Sequence, residues 1–199
     1  MATVAPTLPI ERTSEEIIIE DKNRASLAAV GAWNALNGDY EWAINLFKGT
    51  RAYYGRHHMT KEEKNMQRGL AKAYIRSRQY QQAEWELKSL GYYYNEIVNE
   101  NPCNADISGG YFMKAILCQM LASTDLASDL DLFMFDEDWK RYSKANKAMS
   151  RLCYPAIYKR IIDMIKYRRL DNPIDIHVDL DQDINELEDI LALRILSII

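Results

Sequence analysis

The chain has little of what makes crosslinks, tight loops or membrane spans. Its 199 residues include 3 cysteines, 5 prolines and 8 glycines. So few chain breakers, with no low-complexity run, point to a globular, helix-rich protein. Cys103, Cys118 and Cys153 are odd in number, widely spaced and without a CxxC pair. That pattern argues against a disulfide framework and a cysteine zinc site, and it fits a reducing compartment with the thiols as small core residues. No apolar run reaches membrane length, and the opening MATVAPTLPIERTSEE lacks the basic flank and apolar stretch of a signal peptide. A soluble cytoplasmic protein is expected, with at most peripheral membrane association.

The net charge of -4 argues against general nucleic-acid binding but hides an asymmetry. Ten basic residues between Lys140 and Arg169 face one acid, Asp163, and eight acids between Asp171 and Asp189 face no lysine or arginine. Within that acidic stretch DLDQDINELEDI opens like a calcium loop, with Asp179, Asp181 and Asp183 alternating. An EF-hand loop also needs glycine at its sixth position and glutamate at its twelfth, and Ile184 and Ile190 stand there instead. Negative charge near the start of a final helix is an alternative use for these acids.

Apolar spacing divides the chain into helices. Residues 1–13 read as a flexible lead with Pro6 and Pro9, and residues 14–199 as a single helical-repeat domain beginning near the N-cap candidate Ser14. A first hairpin spans about 24–55 and breaks at Asn37-Gly38-Asp39. Leu27, Val30, Gly31 and Leu36 face inward on its first helix, and Tyr40, Ala43, Ile44 and Phe47 on its second. The same grammar returns over 65–98, with Leu70, Ala71 and Tyr74, a turn near Ser77-Arg78-Gln79, then Tyr80, Ala83, Leu87 and Leu90. A third hairpin is expected over 108–135, its helix opening at Gly109-Gly110 after the polar linker ENPCNADIS and Ala127 matching Ala83.

Residues 136–199 would form a C-terminal helical cap. Within it DEDWKRYSKANKAMSRLC reads as one amphipathic helix, with Trp139, Tyr142, Met149 and Leu152 on one side and Lys140, Lys144, Lys147 and Arg151 as a basic stripe on another. Ile157, Ile161, Ile162 and Ile165 make the apolar face of the next helix, Pro173 ends it, and NELEDILALRILSII supplies the last. No strand pattern is present. The fold class is all-α, a right-handed helical-hairpin solenoid that resembles the tetratricopeptide (TPR) repeat, in which small residues let paired helices approach closely. The first-helix tryptophan and closing proline of that repeat are missing, and the spacing exceeds its usual period.

Catalytic sets are not evident. His57-His58 are adjacent in a loop with no third ligand at helical spacing, and His177 lies between Asp175 and Asp179 with no nucleophile tied to it. An enzyme centred on these histidines is the least supported reading, and no cofactor is implied. Gly109-Gly110 matches no phosphate-binding glycine motif. Tyr92, Tyr93 and Tyr94, with Tyr53 and Tyr54, either line a groove or pack between helices. The basic stripe suits an acidic partner or is a solvated face.

In GGYFMKAILCQMLASTDLASDLDLF, Tyr111, Phe112, Lys114, Ala115 and Cys118 match a run of the SNAP family, the soluble adaptors for the ATPase that dismantles SNARE complexes. The ending EDILALRIL, with Leu191, Leu193, Arg194 and Ile195, is similar to the leucine-rich close of that family, and the chain is shorter than the family by roughly its first third. The resemblance implies a non-enzymatic adaptor whose protein partners are a SNARE bundle and its ATPase. The bundle would be gripped by Lys140, Lys144, Lys147 and Arg151. The ATPase would dock on Asp179, Asp181, Asp183, Glu186, Glu188 and Asp189, with Leu193 or Leu196 as the stimulating leucine. Tyr167-Arg168-Arg169 stands where the family is acidic. The alternative is a TPR-type scaffold that holds a peptide in a concave groove near Tyr74, Tyr80 and Trp85.

Overall fold

The computed structural model describes residues 22–126, 128–151, 154–167 and 182–196. All regular structure among these is helical: α1 (Lys22–Ala35), α2 (Tyr40–Arg56), α3 (Thr60–Arg76), α4 (Tyr80–Glu96), α5 (Cys103–Ala122), α6 (Asp129–Ala145), α7 (Ala148–Arg151), α8 (Tyr154–Tyr167) and α9 (Gln182–Leu196). The chain is therefore an all-α protein of consecutive helical hairpins. It divides into two compact units, Met1–Gly69 and Leu70–Ile199, and the boundary falls inside α3. Ser14, Ala127, Leu152, Cys153 and Pro173 lie outside the described residues.

In the first unit Asp39 starts α2, its Oδ1 accepting from the Trp42 amide at 3.0 Å. Ala43, Ile44 and Phe47 are buried as their spacing requires. On α1 the inward face differs from the expected one. Leu27 and Val30 are exposed, Ala25 and Ala32 are buried in their place, and Leu36, just past the helix, is buried as expected. Small alanines let the α1 and α2 backbones come close, which larger side chains at those positions would prevent. Trp33 meets Phe47 edge-on at 5.2 Å.

Two turns share one hydrogen-bond scheme. The Met59 amide donates to the Tyr54 carbonyl and the His58 amide to the Gly55 carbonyl; the Gln79 amide donates to Tyr74 and the Arg78 amide to Ile75. This is the Schellman ending, whose penultimate residue takes the left-handed conformation. His58 (φ 55) and Arg78 (φ 60) occupy it, where glycine is preferred. His58→Gly is expected to raise stability by about 1 kcal/mol, the usual penalty of a β-carbon there, read as an upward shift in the denaturant midpoint.

The second unit is built around α5, whose residues from Ser108 to Cys118 are all buried. α5 begins six residues earlier than expected at Gly109. Pro102 precedes its first turn, and the Asn101 carboxamide oxygen accepts from the Cys103 amide at 3.0 Å. The two glycines sit inside the helix, where they let other parts of the chain approach. A β-carbon on Gly109 would lie 3.2 Å from Tyr154 Cε2. Ser108 Oγ donates to the Gly91 carbonyl at 2.8 Å, tying α5 to α4. Gly91 is required for that contact, because a β-carbon there would fall 2.6 Å from Phe112 Cε1. Gly91→Ala is expected to destabilise by about 1–3 kcal/mol despite the better helix propensity of alanine, measurable by urea unfolding.

α6 ends at Ala145, so the expected single helix over 136–153 is broken. Asn146 takes an extended conformation (φ -132, ψ 112). Its Nδ2 donates to the Ala105 carbonyl at 2.8 Å and its Oδ1 accepts from the Ala148 amide at 2.8 Å. One buried carboxamide thus holds α5 and starts α7. Beyond it α8 buries Ile157, Ile161 and Ile165, and α9 buries Ile184, Leu187, Leu191 and Ile195.

α9 closes on the end of α5 through Arg194. Its guanidinium donates to the carbonyls of Met120, Leu121 and Ser123, the groups that helix termination leaves without partners. A cation at a helix C-terminus also complements the dipole. The other strong polar link joins α4 to α6. Lys88 Nζ lies 2.6 Å from Glu84 Oε1 and 3.7 Å from the buried Asp138, which Arg141 approaches at 3.0 Å. Burial disfavours the Lys88 ammonium, but the hydrogen bond to Glu84 and the nearby carboxylates outweigh it and hold the lysine above its ordinary pKa.

Candidate docking groove

Between the starts of α4 and α6, over the last turn of α5, lies an open cavity of about 630 Å³. Lys88 of α4 reaches Asp138 of α6, which fixes the two walls side by side. Arg78 and Tyr80 line the cavity from the start of α4, Gln119 from α5, and Asp131, Met134 and Phe135 from α6. Three more carboxamides, Gln79, Gln81 and Gln82, also border it. Burial raises the Tyr80 hydroxyl above its ordinary pKa, with Arg78 and Arg194 opposing and Cys118 and Glu186 adding to the shift. The hydroxyl is therefore a hydrogen-bond donor at neutral pH.

The polar groups of this cavity are unequally satisfied. Glu84 is paired with Lys88, and Asp131 accepts from the Ser123 hydroxyl. The Arg78 guanidinium has no ion pair among the described residues. Gln119 Oε1 is enclosed and has no hydrogen-bond partner among the described residues. An enclosed acceptor left unpaired costs about 1–3 kcal/mol of stability. Beside the cavity α6 presents Leu130, Phe133 and Met134, 69%, 58% and 42% exposed, at i, i+3 and i+4. An apolar strip adjoining a polar cleft is the usual make-up of a protein-binding surface.

The expected groove residues separate. Tyr80 lines the cavity, Tyr74 is buried in α3, and Trp85 is 74% exposed on α4. The tyrosine run packs for the most part. Tyr92 meets Phe112 edge-on at 5.1 Å, and Tyr94 stacks on Tyr111 at 5.6 Å. Tyr53 and Tyr54 are buried in the first unit.

The basic stripe is interrupted. Lys140 is held by Asp136 at 2.7 Å and Glu137 at 3.1 Å, which raise its pKa. Lys144 lies in the last turn of α6, Lys147 in the turn after it, and Arg151 ends α7, so the break at Asn146 removes the common helical face. Of the acidic edge, Asp179 and Asp181 lie outside the described residues, as does His177. Asp183 and Glu188 are on α9, with Glu186 half-buried and Asp189 exposed. Leu193 is exposed on α9, and Leu196 ends that helix.

The run that carries the family resemblance is interior. Tyr111, Phe112, Lys114, Ala115 and Cys118 are all buried, with Lys114 Nζ 4.8 Å over the Tyr111 ring. In this chain those residues pack the interior of α5. Cys118 is in the core as expected, and Cys103 is exposed. His57 and His58 are exposed, with His57 against the Tyr53 ring at 4.3 Å. Among the described residues no three metal-ligating side chains converge, and no helix is long and apolar enough to cross a membrane.

Sequence reasoning missed Gln119, Arg78 and the apolar lip of α6. The available signal was the carboxamide cluster in RQYQQ together with Leu130, Phe133 and Met134 at helical spacing. Comparison with known protein families, with curated proteins and with solved structures finds no match.

Proposed function

We propose that the chain is a non-enzymatic helical-repeat adaptor that engages a protein partner through the α4–α6 face of its second unit. The observation that carries this reading is the half-polar cavity bordered by the exposed strip Leu130, Phe133 and Met134. These three side chains are exposed on a helix whose Phe135 and Tyr142 are buried in the core, and exposed aromatic and methionine side chains are the common anchors of protein interfaces. Affinity capture with the full chain, side by side with Phe133→Glu and Met134→Glu variants of unchanged stability, tests it. A partner retained by the natural chain and lost by both variants is the expected result; equal recovery by all three contradicts the assigned face.

The SNAP resemblance gives this adaptor a specific form, in which the partner is a SNARE bundle and the ATPase is recruited by α9. Two observations favour it. Lys144 and Lys147 are exposed at the end of α6 and just beyond it, and Leu193 is exposed on α9 while its neighbours Leu191 and Ile195 are buried. Cationic capture of an acidic bundle weakens with salt and with charge reversal. Binding of an assembled bundle at low salt, lost in Lys144→Glu/Lys147→Glu, supports this form, and absence of binding by the natural chain at low salt removes it without touching the broader adaptor reading.

A further inference from the structure

We infer that α1 is a self-association surface on which a second copy of the chain packs antiparallel, Leu27 of each copy against Val30 of the other. The inference goes beyond the adaptor reading and concerns the first unit alone. Leu27 and Val30 are 73% and 60% exposed, and Asn23 and Asn34 are exposed one turn beyond them on either side. Positions 23, 27, 30 and 34 step by four, three and four residues. That is the seam of a coiled coil, in which alternating steps of three and four keep one narrow stripe against a partner helix. Ala25 and Ala32, which are buried, lie on the opposite side of α1, so the stripe points away from the unit's own core.

Two features of the stripe select a second copy as its occupant. The first is symmetry. The stripe is centred between Ala28 and Ala29, and turning a copy of α1 end for end about that point sets Leu27 opposite Val30, Val30 opposite Leu27, and Asn23 opposite Asn34. Apolar meets apolar and carboxamide meets carboxamide, as a twofold interface requires of one surface facing itself. The second is charge. α1 has Lys22 and Arg24 in its first turn and no acid along its length, a polarity that its own dipole opposes. Asp39 and Glu41, both exposed, stand at the other end, where the Asp39 amide donates to the Ala35 carbonyl at 2.9 Å. In the antiparallel pair Lys22 of one copy is level with Ala35 of the other, beside that helix end and its two acids. Each α1 thus receives from the other copy the charge that its ends lack.

The same chemistry disfavours other arrangements. A parallel pair would bring Lys22 and Arg24 of both copies together and keep the acids apart from them. An anionic lipid surface would meet Asp39 and Glu41 as well as the two cations, and only two sizeable apolar side chains. One helix of 14 residues makes a short seam, at the small end of specific interfaces. Roughly micromolar association is therefore expected, with the chain monomeric at lower concentrations.

Sedimentation of the full chain across a concentration series tests the association, and cysteine pairing tests its geometry. Leu27→Cys and Val30→Cys are placed on separate chains with different tags, each in a Cys103→Ser/Cys153→Ser background. Oxidation of the mixture should link position 27 of one chain to position 30 of the other, and should link either kind of chain to itself far more slowly, because only the first pair comes within disulfide reach. Leu27→Glu/Val30→Glu should weaken dimerisation about a hundredfold, two aliphatic side chains lost from the seam at about tenfold each, and leave the melting temperature of the dilute chain unchanged. Lys22→Glu/Arg24→Glu should weaken it less, and added salt should weaken the natural pair in the same direction. A chain that stays monomeric throughout the series, a dimer indifferent to Leu27→Glu/Val30→Glu, or preferred linkage of position 27 to itself overturns the assignment. A monomer whose melting temperature falls with Leu27→Glu/Val30→Glu overturns it in favour of a cover for α1 from within the same chain.

Discussion

Phe112→Ala is expected to destabilise the second unit by about 3–5 kcal/mol, in the upper range for core aromatic truncations. Phe112 is fully buried in α5 and lies face to face with Tyr142 of α6, ring centroids 4.5 Å apart and planes 7° from parallel. Tyr92 of α4 meets it edge-on, and Gly91 presses its backbone against the ring. Three helices therefore share one side chain. Truncation removes its buried surface and leaves a void that Tyr142 cannot refill, because Tyr142 is itself enclosed and carried on a helix tied by Lys88 and Asp138. Urea unfolding followed by circular dichroism reads the loss. A double variant with Gly91→Ala checks its cause. The β-carbon has no ring to strike once Phe112 is gone, so the Gly91 penalty should shrink by more than about 1 kcal/mol in that background. Additive losses would mean that the close approach of Gly91 and Phe112 is not what makes Gly91 necessary.

Arg194→Met is expected to cost about 3 kcal/mol and to loosen α9 before the rest of the unit. The stem volume is nearly kept, so the loss reports the guanidinium. Its hydrogen bonds reach three carbonyls at the end of α5, and hydrogen bonds to a charged group are worth about 1.5–3 kcal/mol. Those carbonyls belong to the turn that floors the groove. Hydrogen exchange should therefore quicken in 184–195 and in 119–123 while α4 stays protected. Uniform quickening throughout Leu70–Leu196 would show that α9 has no separate closing role. Arg194→Lys should recover only part of the loss, since an ammonium cannot span three carbonyls with a planar fork.

Much of the fold was legible because local rules and packing agree there. The breaks at 37–39 and 77–79, the loop that holds His57-His58, and most of the inward faces of α2, α3, α4 and α8 follow from apolar spacing and turn residues alone. The misread places are those decided by distant contacts. Asn146 stops α6 because its carboxamide bonds Ala105, 41 positions away, which no periodicity can reveal. Gly109 and Gly110 read as a helix start and are instead an internal surface for close approach. On α1 the small residues turned inward in place of Leu27 and Val30 because separation between helices, set by alanine, outweighed side-chain hydrophobicity.

The candidate site was less legible than the fold. Of the three groove residues expected, Tyr80 lines the cavity, Tyr74 is interior and Trp85 is exposed on α4. The enclosed oxygen of Gln119 depends on how α5 ends beneath α4 and α6, and a helix pattern marks Gln119 only as a polar position. Lys140, Lys144, Lys147 and Arg151 do not share one helical face for the converse reason: their spacing assumed a continuous helix that tertiary bonding interrupts.

The adaptor account is tested most directly by placing a photo-crosslinking phenylalanine at position 133, on the exposed lip of the groove, and comparing it with the same group at Trp42 on α2. The account predicts a discrete protein adduct from position 133 in cell extract, suppressed by excess unlabelled chain and absent from position 42. No adduct at 133, or the same unselective labelling from both positions, would contradict it.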